Sequence, residues 1–123
     1  MTDIRTYAWI FLSVSEQPTL LQKIIAVADG INHAIPMQDE LQKSFGWLQA
    51  QGLVKKEGKN YLLTESGAEL TKSISYRSIM KVWDAITENF AQLPEVDFQL
   101  EDISVAEIKA AYNSYKKMIF GVK

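Results

Sequence analysis

Residues 36–67, PMQDELQKSFGWLQAQGLVKKEGKNYLLTESG, decide the fold. Leu41, Phe45 and Leu48 recur at i, i+4 and i+7, which predicts a helix over about 37–51 with that stripe packed inward. It starts just after Pro36, because proline disfavours the α conformation in the residue before it. Asp39 and Glu40 fall in the first turn, where the helix dipole favours negative charge. On a helical wheel the opposite face carries Asp39, Lys43, Gly46 and Ala50, flanked by Gln42 and Trp47. Gly52 is placed to end the helix. The β-prone runs 53–56 and 61–63 are joined by Glu57-Gly58-Lys59-Asn60, which has hairpin turn chemistry. Thr64 then caps a further helix with Glu65 in its first turn, and Gly67 in that helix leaves room for close packing.

Working outward, residues 3–14 read as a helix capped by Thr2 or Asp3, with Ile4, Tyr7, Ala8 and Phe11 on one stripe. Trp9, Ile10 and Leu12 lie off that stripe. A helix apolar on several faces is sandwiched, either within its own chain or against a second subunit. Thr19 and Gln22 are spaced as a capping box for a second helix striped by Leu20, Leu21, Ile24, Ile25, Ala28 and Ile31. Downstream, Ile79, Val82, Trp83, Ile86, Phe90 and Leu93 form a long amphipathic stripe that stops before Pro94. The segment PEVDFQLEDI follows, with Glu95, Asp97, Glu101 and Asp102 and no base, and reads as a solvated acidic loop. Ser104 to Glu107 is a capping box. Val105, Ile108, Tyr112, Tyr115 and Ile119, spaced 3, 4, 3, 4, make the seam of a short coiled coil, or the face on which the last helix docks against its own chain.

Length and composition limit what these elements can do. A chain of 123 residues supports one domain with an appendage. The absence of cysteine rules out disulfides and thiolate metal sites. No apolar run approaches the roughly 20 residues needed to span a bilayer, and the amino terminus lacks the pattern of a secretory signal, so the expectation is a cytoplasmic protein without membrane contact. With a net charge of −2 and a pI near 5.4, any nucleic-acid binding must come from a local basic patch. There is no glycine-rich phosphate loop, nucleophile elbow or HExxH helix, and His33 is the lone histidine. No catalytic residue, metal site or cofactor is therefore expected, and His33 is assigned to local hydrogen bonding.

The run Leu48-Gln49-Ala50-Gln51-Gly52-Leu53-Val54, a basic turn, and then Tyr61-Leu62-Leu63-Thr64-Glu65-Ser66-Gly67 resembles the end of the recognition helix and the wing of MarR-like and PadR-like bacterial regulators. The resemblance covers roughly residues 20–74. It implies a mainly α fold with a small β-hairpin: a winged helix-turn-helix over 1–75, with recognition helix about 37–51 and wing about 53–64, followed by two C-terminal helices over 76–123. It also implies a homodimeric regulator that binds duplex DNA, with the terminal helices as the dimer interface. One departure stands out. Where such families often carry basic or small polar residues, this chain has Gly46 and Trp47.

The candidate DNA-binding residues are Gln38, Gln42 and Lys43 for base edges, and Lys55, Lys56, Lys59 and Asn60 for phosphate. The candidate dimerisation residues are Trp9, Val105, Ile108, Tyr112, Tyr115 and Ile119. Trp9, Trp83, Tyr112 and Tyr115 could also line a small-molecule effector site, although aromatics at helical spacing are more often core. Electrostatics set a second reading beside the first. Over 36–51 one lysine faces Asp39 and Glu40, a net charge of −1, while over 52–64 Lys55, Lys56 and Lys59 face Glu57, a net +2. A face summing to +1 is a thin basis for phosphate binding. The alternative is a winged-helix protein–protein interaction module without DNA binding.

Overall fold

The alternation of helix, hairpin and helix recurs in the computed structural model, which describes residues 3–120. The described chain runs α1 (Asp3–Leu12), α2 (Leu21–Asn32), α3 (Gln38–Ala50), β1 (Val54–Glu57), β2 (Asn60–Leu63), α4 (Glu65–Ser73), α5 (Ile79–Ala91) and α6 (Val105–Phe120). It is mainly α with one small antiparallel hairpin. None of these helices is long and apolar enough to cross a membrane.

Several boundaries are set by side chains the sequence marked, and two are not. The Glu40 carboxylate accepts from the Met37 backbone N–H at 2.9 Å, closing the first turn of α3. Gly52, at φ +74°, follows the end of that helix. Thr64 Oγ1 accepts from Gly67 N–H at 3.1 Å and donates to the Gly52 carbonyl at 2.6 Å, so one hydroxyl joins the two helix ends flanking the hairpin. Ser104 Oγ accepts from Glu107 N–H at 3.1 Å. The hairpin pairs Val54 with Leu63 and Glu57 with Asn60, around a two-residue loop, Gly58-Lys59. By contrast, α1 ends at Leu12 rather than Val14, because Ser13 and Val14 donate to the carbonyls three residues back and tighten the last turn. Thr19 does not cap α2. Its backbone is extended and exchanges two 2.9 Å hydrogen bonds with Tyr61, flanking β2 on its second side, and Leu20 becomes the uncapped residue before the helix.

One apolar cluster holds most of the chain together. Trp9, Phe11, Ile24, Phe45, Leu48, Trp83, Ile86, Phe90 and Ile103 belong to it, each at most 1–2% exposed. Each such side chain contributes roughly 1.5–3 kcal/mol relative to remaining in water. α1 is the centre, packed by α2, α3 and α5. The Trp9 indole N–H donates to the Ala28 carbonyl at 2.8 Å, and that of Trp83 to the Arg5 carbonyl at 2.9 Å. Arg5 also lies over the Trp83 ring and pairs with Asp84 at 2.7 Å. The several apolar faces of α1 are thus covered by the chain itself. Trp47 is buried as well, stacked on Tyr7 with centroids 4.9 Å apart and tilted against Phe90 at 5.0 Å. The bulk at position 47 therefore fills the joint of α1, α3 and α5. It does not project from the helix.

Candidate functional site

One flank of α3 is a polar stripe, since Gln38, Gln42, Gly46 and Gln49 lie at i, i+4, i+8 and i+11 of a single helix, while Asp39, Lys43 and Ala50 on the side away from the core stay exposed. Residues 94–104, which connect α5 to α6, lie along that stripe as a strap. The amides of Gln38 and Gln42 both donate to the Ile103 carbonyl, at 3.0 and 3.2 Å. Glu101 N–H donates to the Gln42 carbonyl at 3.0 Å, and the Gln51 amide reaches the Pro94 carbonyl at 2.8 Å. At Gly46 the approach is closest: a Cβ there would stand 2.1 Å from the Gln99 carbonyl oxygen and 3.1 Å from the Phe98 ring. No other residue type fits without moving the strap, so the glycine that weakens α3 as an isolated helix is what admits its cover.

The strap is anchored at Glu101. Its carboxylate accepts from Gln49 Nε2 at 3.0 Å, from the Tyr61 hydroxyl at 2.6 Å and from Lys56 Nζ at 3.1 Å. Burial works against its ionisation, but the bonds from Tyr61, Gln49 and Lys56 outweigh it and hold the carboxyl below the usual glutamate range. Tyr61 shifts the other way, because burial and then the Glu101 carboxylate both penalise a phenolate. The Tyr61 ring also stacks on Phe45 with centroids 4.0 Å apart, so the clasp stands on the core. Apolar residues on either side of the clasp hold the strap down: Val96 and Phe98 pack against the core cluster, and Ile103 is 1% exposed. Glu95, Asp97 and Asp102 of the acidic segment are exposed as expected, but Glu101 is not simply solvated. Its carboxylate is a structural ligand of the hairpin and α3.

This geometry divides the candidate DNA-binding residues. Gln38 and Gln42 are half-buried under the strap, with their amides engaged. Lys56 is bound to Glu101, and Lys55 lies 3.6 Å from Glu57 on its own strand. Lys43 and Lys59 are exposed, while Asn60 is half-buried as the partner of Glu57 across the turn. The seven residues therefore do not form one open surface. Beside the hairpin, a cavity of about 350 Å3 opens between the start of α2, β2 and α6. Leu20, Leu21, Ala110 and Ala111 give it apolar walls, and Lys56, Lys59, Tyr61, Gln22, Ser114 and Glu107 supply its polar groups.

The candidate dimer residues are also distributed unevenly. Trp9 is 1% exposed, inside the core. α6 docks on α2 through a cluster of Ile25, Ala111 and Tyr115, with Tyr112 packed against it and Ile108 against the main core. The Tyr115 hydroxyl donates to Asp29 at 2.5 Å, a bond that, with burial, pushes the phenol up to about 12. Val105 is left 51% exposed, and the side chain of Ile119 lies outside the described residues. The effector lining is not assembled: Trp9 and Trp83 adjoin each other at 6.4 Å in the core, while Tyr112 and Tyr115 sit on α2. Among the described residues no group of three or more histidine, aspartate or glutamate side chains is placed to hold a metal ion. His33, at φ 54°, closes α2 through its backbone N–H to the Asp29 carbonyl at 2.7 Å.

Of these features, the sequence reading lacks both the cavity and the strap, and only for the strap was there a signal. The available signal was the glutamine and glycine stripe of α3, too neutral for a DNA face, together with the apolar alternation of Val96 and Phe98. Comparison with known proteins returned no matching family model, no matching curated protein and no matching solved structure.

Proposed function

We propose that this chain is a winged-helix interaction module in which the third helix seats the chain's own acidic strap and does not read duplex DNA. The observation that carries this reading is the strap's cover of one flank of α3. The helix offers glutamines to the strap's carbonyls, a glycine to its closest approach and one more glutamine to Glu101. Charge supports it too, since a helix with a net −1 lies under a segment with four carboxylates, which repels a phosphate backbone. The faces left open include the Asp39, Lys43 and Ala50 side of α3, the hairpin tip with Lys59, and the cavity beside it.

A second reading keeps the chain as a DNA-binding regulator held closed by its strap. It is favoured by one feature: the ionic part of the clasp is the single carboxylate of Glu101 on Lys56, while Lys43 and Lys59 stay exposed. Fluorescence anisotropy with a pool of genomic duplex fragments at low salt separates the two, using wild type and Glu101→Lys, in which the clasp becomes a repulsion. The interaction-module reading expects no salt-sensitive binding by either protein. Binding by wild type would overturn it. Binding by Glu101→Lys alone would transfer the conclusion to the strapped regulator.

A further inference from the structure

The cavity of about 350 Å3 beside the hairpin has a lining that divides by chemistry. Its volume lies within the usual range of ligand pockets, and it admits one apolar side chain with a short length of backbone. Leu20 and Leu21 at the start of α2 line it together with Ala110 and Ala111 from α6, giving an apolar slot in which the α6 apolar residues are small. Lys59 stands at the hairpin end of the slot and forms no ion pair among the described residues. Lys56 lines the same end, and with Tyr61 it already binds one carboxylate, that of Glu101. The chain thus displays the head-group chemistry of this corner with its own side chain. Gln22, Ser114 and Glu107 complete the lining with the donors and acceptors that a peptide amide requires.

We propose that this cavity captures the C-terminal carboxylate of a partner polypeptide that ends in an apolar residue. The terminal carboxylate meets Lys59, with Lys56 beside it. The last side chain enters the slot between Leu20, Leu21, Ala110 and Ala111. The last amide is satisfied by Gln22 and Ser114. A free chain end is a ligand that puts a monoanion, an apolar group and an amide on neighbouring atoms, and the lining holds a residue suited to each. The proposal rests on the reading of the chain as an interaction module, but it is tested without DNA, so the two can fail separately.

The test is a titration of the isotope-labelled chain, followed by amide NMR shifts, with an acetylated tetrapeptide ending in leucine as probe. The same peptide with a C-terminal amide and hexanoate, a carboxylate without a peptide, serve as comparisons. The free-carboxylate peptide should shift Leu21, Gln22, Ala110 and Ser114 saturably. Its amide and hexanoate should each bind at least about tenfold more weakly. Ala110→Trp, a substitution at an exposed position that fills the slot, should abolish the shifts, and Lys59→Met, at the hairpin tip, should weaken them about tenfold with the fold unchanged. Absence of saturable shifts would overturn the proposal, as would equal binding of the amidated peptide. If hexanoate binds as tightly as the peptide, the site recognises small carboxylates and the polypeptide partner is wrong.

Discussion

Gly46 in α3 and Gly30 in α2 are both helical glycines, yet replacing each by alanine is expected to change stability in opposite directions. A Cβ at position 30 meets nothing within 4 Å, so Gly30→Ala gains helix propensity and should stabilise by about 0.5–1 kcal/mol. A Cβ at position 46 would stand 2.1 Å from the Gln99 carbonyl, a backbone atom that moves only with the strap. The same propensity gain is then outweighed by overpacking, and Gly46→Ala should destabilise by about 1–3 kcal/mol in urea unfolding. Equal stabilisation by both changes would mean the strap does not lie on α3. Ser44, two residues away, gives the residue scale a second test. Its hydroxyl is fully buried with no hydrogen-bond partner among the described residues, and an orphaned hydroxyl costs about 1–3 kcal/mol. Ser44→Ala removes that penalty for a small loss of volume, so its unfolding midpoint should match or exceed wild type; a clear fall would show that the hydroxyl has a partner, such as a bound water.

The strap is the element whose behaviour follows from its titrating groups. Glu101 has a depressed pKa in the folded chain, so its contribution is present above the unfolded value of about 4.3 and is lost as pH falls through the lower folded value. Tyr61 is raised, so its contribution is complete below the unfolded value of about 10 and is lost as pH rises beyond that. Between those limits the clasp is closed. The Glu101 N–H, bonded to the Gln42 carbonyl, reports it, and its hydrogen-exchange protection should fall about tenfold or more below pH 4, before the core amides of α1 respond. In Glu101→Gln the acid step should vanish; if it survives there, another carboxylate closes the strap. The strap also marks the limit of what the sequence disclosed. Helices and hairpin were legible because their signals are local: the 41, 45, 48 stripe, Gly52, the Gly58-Lys59 turn and the Thr64 cap. Strap bonds join residues 38–51 to 94–103, and nothing local in PEVDFQLEDI distinguishes a carboxylate facing water from one facing Lys56. Thr19 misled for the same reason, since its capping spacing was overridden by a bridge to Tyr61, far along the chain. At α6 residues 108, 112 and 115 of the periodic stripe are packed and Val105 is not, and a helical stripe looks the same whether it covers α2 of its own chain or another copy.

For the molecule as a whole, the question is whether residues 76–123 are an appendage or part of one cooperative unit. α1 lies against both α3 and α5, and its apolar cluster takes Trp83, Ile86 and Phe90 from α5 and Ile103 from the strap, all nearly or fully buried. Losing each such side chain from a core costs about 2–5 kcal/mol, and four of them together exceed much of the 5–15 kcal/mol that holds a typical domain folded. Truncation after residue 75 would also uncover Trp9, Tyr7 and Trp47, whose neighbours in α5 and the strap would be gone. The fragment 1–75 is therefore expected to be unfolded or molten despite carrying the whole helix and hairpin pattern. Its far-ultraviolet circular dichroism should lack a cooperative thermal transition. The full chain should unfold in one step, with tryptophan fluorescence and circular dichroism giving coincident curves. A fragment 1–75 that melts cooperatively would establish the hairpin-bearing half as an independent domain. In that event the strap and α6 would be a detachable cover, and the surface of α3 would have to be considered again as open.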